Sequence, residues 1–210
     1  MSFETGIGLG NIIQMSYTNY KAREINFKVV YYGVDNAGKS TCLRYVFDHT
    51  DVSAKGKLIG LDDPEKDYRT YFFDFLPLGL QPIRGFQPRF HLYTVSDLGN
   101  VGRSNIHEIC KAADGIVYVV DSARERLEET REDFIGLGHS LTNVGLSIDR
   151  IPLVLQYNKR DLPDAASLDE IRSVIGITGR KEFETVASEG TRVFDPLKAV
   201  IKQVVAASAA

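Results

Sequence analysis

The chain has 210 residues, 43% of them hydrophobic and 25% charged, with a formal net charge of −3. That describes one domain with a sizeable core and no general attraction to nucleic acid or anionic lipid. No apolar run approaches the ~20 residues of a bilayer span, the N-terminus lacks a secretory leader's basic start and long apolar stretch, and no Met-Gly start or C-terminal Cys box marks a lipid anchor. The expectation is a monomeric, cytoplasmic protein without nucleic-acid partners.

Residues 1–20 are rich in Gly, Asn, Ser and Thr and are expected to form a mobile extension, leaving 21–207 as the single domain. INFKVVYYG is β-branched and aromatic and stops at Gly33, which predicts a strand. KSTCLRYVFDH follows as a short helix. RTYFFDFLPL and RFHLYTV are extended runs, and the Gly and Pro residues of GLQPIRGFQP predict a hairpin connection between them. Ile106, Ile109, Cys110 and Ala113 share one helical face.

GIVYVVDS and IPLVLQYNK are continuous apolar runs, the pattern of strands buried on both faces. Between them Leu127, Phe134, Leu137 and Leu141 mark an amphipathic helix. SLDEIRSVI opens with Ser167 and Glu170 in capping-box spacing. FETVAS reads as the last strand, and a final helix turns Val193, Leu197, Val200, Ile201, Val204 and Val205 inward. Alternating strands and helices predict a doubly wound, mostly parallel α/β sheet with one antiparallel edge strand and helices on both faces. Cys42 and Cys110 lack metal-ligand spacing and read as buried thiols.

GVDNAGKS, Gly33 to Ser40, has the phosphate-loop spacing G-x-x-x-x-G-K-S between a strand and a helix. Glycines let the backbone curl its N–H groups toward phosphate oxygens, and the helix N-terminus adds positive potential. Gly33, Asp35, Asn36, Ala37, Gly38 and Thr41 are therefore expected around the phosphates. Lys39 would reach the β- and γ-phosphates and Ser40 a Mg²⁺ ion. NKRD, Asn158 to Asp161, closes an apolar strand. A carboxylate at Asp161 accepts from guanine N1–H and the exocyclic amine, while adenine would leave it unpaired; Asn158 and Lys159 complete that box. In ETVAS, Ala187 could offer its backbone N–H to guanine O6. Together these three elements resemble a Ras-like guanine-nucleotide domain binding GTP or GDP. An ATP-dependent phosphotransferase is the alternative, without need of Asp161.

REINFKVVYYG, KGKLIGL, RTYFFDFLPL, IRGFQPRFHLYTV and IPLVLQYNKRDLP resemble the MglA family, bacterial small GTPases of cell polarity and motility. The likeness runs from about Met15 to about Val205. It implies a GTP/GDP switch, a roadblock-type activator of the MglB kind, polarity effectors and recruitment to a cell pole. It also implies a second strand that shifts register on activation. Arg69 matches the family's built-in arginine finger, which in phosphoryl transfer can be worth roughly 10³- to 10⁵-fold; a solvated strand-end charge is its plainer reading. Thr70 matches the switch threonine that reaches Mg²⁺. The strand HLYTV lacks the usual D-x-x-G aspartate, so Asp74 becomes a candidate for a Mg²⁺-bound water, or else a structural pair.

After HLYTV the family carries P-G-Q, whose glutamine orients the attacking water; here the residues are Ser96, Asp97, Leu98, Gly99 and Asn100. Inserting one residue aligns Gly99 with the glycine, whose N–H approaches the γ-phosphate, and Asn100 with the glutamine. Asparagine is one methylene shorter, which sets its amide back by roughly 1.5 Å, and a misplacement near 1 Å can cost about 10²-fold. Slow or partner-dependent hydrolysis is expected, or a protein that holds GTP and hardly turns it over. Arg103 and His107 are partner contacts or simply an exposed polar face.

Overall fold

The computed structural model describes residues 18–62, 69–77, 79–95, 110, 111, 113–176 and 178–209. Its strands are β1 (Thr18–Asn19), β2 (Glu24–Tyr32), β3 (Ile59–Asp62), β4 (Arg69–Phe75), β5 (Gln87–Thr94), β6 (Gly115–Asp121), β7 (Leu153–Asn158) and β8 (Lys181–Glu184). Its helices are α1 (Lys39–Asp48), α2 (Leu127–Asn143), α3 (Leu168–Ile175) and α4 (Phe194–Ala209). The sheet order is β3-β4-β5-β2-β6-β7-β8, with β1 beside β2. β5, β2, β6, β7 and β8 are parallel, as the apolar runs and intervening helices predict.

The antiparallel part is larger than expected. β4 pairs antiparallel with β5, but β3 pairs antiparallel on its outer side, so β4 is not the edge. Thr18 and Asn19 also pair with Ile25 and Glu24, which brings the end of the expected extension onto the sheet. The hairpin between β4 and β5 closes through Ile83 and Phe86, with Arg84 and Gly85 both at positive φ, the backbone of a tight two-residue turn.

Period-two alternation sends each central strand into two cores. Phe27, Val29, Tyr31, Val117 and Val119 face α1 and α4 and pack with Leu43, Val46, Leu197 and Val200. Val30, Tyr32, Ile116, Tyr118 and Val120 face the other way, onto Phe134, Leu137 and Leu141 of α2 and Ile171 and Ile175 of α3. Cys42 joins the first core and Cys110 the second, both as free, buried thiols. Ser167 and Glu170 form the predicted reciprocal cap of α3. The last strand is shifted from its expected span: Lys181–Glu184 pairs with β7, while Thr185–Ser188 leave the ladder in a turn closed by Val186 and Thr191. No helix of the described residues is long and apolar enough to cross a membrane.

Candidate functional site

The carboxyl ends of β2, β6, β7 and β8 deliver four loops to one end of the sheet, and the sequence motifs lie in three of them. β2 ends at Tyr32 and the chain turns at Gly33, whose φ of 141° and close approach to β6 admit no side chain. A Cβ there would lie 2.1 Å from the Val119 carbonyl oxygen. Gly38 begins α1 in the left-handed region, and a Cβ on it would strike the Asn158 amide at 2.3 Å. Between them the loop curls over Lys39, which is buried; its Nζ donates to the carbonyls of Gly33 at 2.6 Å and Val34 at 2.7 Å. Asp35 lies 4.0 Å from the same ammonium. The N–H groups of Gly38, Ser40 and Thr41 find no acceptor among the described residues. Converging amides at a helix start beside a fixed ammonium fit a phosphate.

Asn158, at the end of β7, is the residue that joins the motifs. It is 2% exposed. Its Nδ2 donates to the Ala37 carbonyl at 2.8 Å, and its Oδ1 accepts from Ala187 N–H at 2.9 Å and Thr185 Oγ1 at 3.2 Å. One side chain thus clamps the phosphate loop to the turn after β8. The Ala187 N–H expected to meet guanine O6 is therefore committed to Asn158, because the turn after Glu184 points it inward. Lys159 has a positive φ and reaches back to Asp121 at 2.6 Å. Asp161 is exposed and has no hydrogen-bond partner among the described residues.

Four supporting residues were not foreseen. Asp121 is buried, accepts from Ala123 N–H at 3.0 Å with Oδ1 and holds Lys159 with Oδ2; an acid ending an apolar strand was the available signal. Thr185 links Asn158 to Gln156, and Arg126 donates to the Asp35 carbonyl at 2.8 Å. Arg160 ties the turn after β7 to Glu184 and to the Ala166 carbonyl.

Of the expected metal residues, Asp74 is not brought to the phosphate loop. Ser40 sits at the start of α1, half-buried. Asp74 pairs with His91 Nδ1 at 2.6 Å, and His91 Nε2 meets Asn26 Oδ1 at 2.8 Å. The hydrogen bond from His91 holds the Asp74 carboxyl below the usual range. Strand register places Asp74 beside His91 and His91 beside Lys28, five residues before Gly33, or about 16 Å down the sheet. Asp74 is therefore hydrogen-bonded to His91 within the sheet and is not a metal neighbour. Arg69 and Thr70 are the first residues of β4, opposite Asp62 and Leu61, at the same end of the sheet as the phosphate loop; their side chains lie outside the described residues. So do Gly99, Asn100, Arg103, His107 and most of the helical face around Ile106.

A profile of the ADP-ribosylation factor (Arf) family matches residues 89–203. The chain is 48% identical over 191 residues to the mutual gliding-motility protein MglA of Myxococcus xanthus, covering 90% of this chain and 96% of that protein. The chain belongs to the MglA family of small GTPases. More distant Arf-like relatives include ADP-ribosylation factor-like protein 14 of Mus musculus, 33% identical over 54% of the chain and 62% of that protein. Another is ADP-ribosylation factor-like protein 4A of Homo sapiens, 26% identical over 72% of the chain and 67% of that protein. Family membership as a small GTPase removes the phosphotransferase alternative.

Proposed function

We propose that this protein is a guanine-nucleotide switch of the MglA type, which binds GTP or GDP with Mg²⁺ and controls polarity or motility through effectors. The observation that carries the reading is Asn158, one buried side chain bonded to both the phosphate loop and the Ala187 turn. Gly33, Asp35, Asn36, Ala37, Gly38 and Thr41 cradle the phosphates, Lys39 neutralises them, and Asp161 selects guanine with Lys159 packed alongside. Ser40 and Thr70 would hold Mg²⁺, which when bound supplies positive charge to the phosphate oxygens. Arg69 stabilises charge on the transferring group, Gly99 offers its N–H there, and Asn100 orients water poorly, so hydrolysis is slow. A roadblock-type activator of the MglB kind is the expected partner, acting by bringing Asn100 or Arg69 into place.

The test of guanine selection is Asp161→Asn, which should weaken GTP and GDP binding by about 10²-fold through loss of charge-assisted bonds while leaving ATP as poor a ligand as before. Unchanged GTP affinity would sink the reading. A second reading, a GTP holder that hardly turns over, is favoured by the sequence Ser96–Asn100. Single-turnover hydrolysis of pre-bound GTP, with and without a roadblock-type activator, separates the two. Activator-dependent turnover lost in Asn100→Ala supports the switch; intact GTP in every sample supports the holder.

A further inference from the structure

β7 runs from Leu153 to Asn158 with every residue buried, yet within it Gln156 carries an amide. Gln156 lies two residues before Asn158 and so on the same face of the strand. Its Nε2 donates to Thr185 Oγ1 at 3.1 Å and to Cys42 Sγ, in the first turn of α1, at 3.0 Å. Its Oε1 is buried and finds no donor among the described residues. A buried carbonyl oxygen without a partner costs free energy that a leucine of similar bulk would avoid.

The direction of the hydrogen bonds explains that cost. Ala187 N–H can only donate, so the Asn158 atom it meets at 2.9 Å is the oxygen, and the amide nitrogen faces the Ala37 carbonyl at 2.8 Å. Thr185 Oγ1 lies 3.2 Å from the same Asn158 oxygen and bonds to it only by turning its one hydrogen that way. A hydroxyl committed as donor on one side needs a donor on the other, which Gln156 presents. With its oxygen turned to Thr185 instead, the glutamine would claim the hydroxyl's hydrogen and set lone pairs of Thr185 and Asn158 against each other. The bonds therefore run one way, from Gln156 through Thr185 and Asn158 to the Ala37 carbonyl. In a buried place each bond of such a chain polarises the next.

We propose that Gln156 is a positioning residue for nucleotide binding: through Thr185 it fixes which way the Asn158 amide faces, and so keeps the phosphate loop and the Ala187 turn closed on a bound nucleotide. This role rests on the guanine-nucleotide reading above. The bond to Cys42 ties the same relay to the helix that begins with Lys39 and Ser40.

Gln156→Leu keeps most of the bulk and removes the donors. Release of a fluorescent GDP analogue chased by excess GDP in Mg²⁺, the melting temperature without nucleotide and NMR exchange of the Ala187 amide are measured on the full chain. The proteins compared are wild type, Gln156→Leu, Asn158→Ala and the double variant. Gln156→Leu should release the analogue about 5-fold faster, the worth of one hydrogen bond, and exchange Ala187 faster by a similar factor. It should melt at or above the wild-type temperature, because the orphaned oxygen is gone. In the Asn158→Ala background the same change should leave release unaltered, since no amide remains to be oriented. Wild-type release from Gln156→Leu overturns the role, and so does an equal acceleration in the Asn158→Ala background. Faster release that comes with a lower melting temperature overturns it too, as a packing effect. Should wild type bind no GDP, the guanine reading fails, and Ala187 exchange still decides whether Gln156 holds the Asn158 amide.

Discussion

Replacing Asn158 with alanine tests the clamp that the nucleotide site is built around. The change removes three hydrogen bonds, to the Ala37 carbonyl, the Ala187 N–H and the Thr185 hydroxyl. Thr185 has another acceptor, the Tyr157 carbonyl at 3.4 Å, so it can turn away from the gap. Two backbone groups remain unpaired in a buried place, each worth about 1–1.5 kcal/mol, for a sum of about 3 kcal/mol. The bound form needs both loops closed, whereas the free form can relax them, so the loss falls on affinity: about 100-fold weaker GDP binding at ~1.4 kcal/mol per decade. The assay is dissociation of a fluorescent GDP analogue chased by excess GDP. Asn158→Asp sharpens it, since a carboxylate of the same shape points an acceptor at the Ala37 carbonyl and should be at least as harmful. Release rates within about three-fold of wild type for both variants would refute the clamp as an energetic element.

Two further outcomes follow from side chains outside the nucleotide loops. Asp74 has a lowered carboxyl pKa, first through the His91 hydrogen bond, so its contribution to stability is complete above the ordinary carboxylate pKa. It is lost as pH falls through the lowered folded value. Asp74→Asn should flatten the acid limb of melting temperature against pH; superimposable acid limbs would contradict the pairing. Burial pushes the thiols of Cys42 and Cys110 up to about 12, so the native protein should give no reaction with Ellman's reagent at pH 8 and both thiols should react after denaturation. Fast labelling of either in the folded state would show that its burial is wrong.

The parallel core was legible because its residues obey two simple periods. GIVYVVD and LVLQYN are apolar on both faces and became the central strands β6 and β7, and the helix face Phe134, Leu137 and Leu141 met them as spaced. The phosphate loop was legible because Gly33 and Gly38 occupy backbone states that side chains cannot share. What the pattern could not supply was pairing at a distance. β3, four residues long, is a strand only because β4 offers an edge. Asp74 looked like a metal neighbour because sequence carries no register, and the offset of β4 on β5 gave it to His91. The Ala187 N–H went to Asn158 for the same reason: a turn's direction is set by its neighbours, here the Val186–Thr191 closure.

The clamp at Asn158 also constrains the moment at which the protein can first hold a ligand during synthesis. A chain emerging from the ribosome has its phosphate loop complete once Thr41 is out, and β7 after Asn158. The second half of the grip, Ala187, comes later still, and β8 lies at the sheet edge as only four residues with α4 behind it. Val193, Leu197, Val200 and Val204, all buried, must seat before that edge is secured. Nearly the whole length is thus translated before a tight complex can form, so any premature release of an incomplete chain yields a product that cannot compete for the cell's nucleotide.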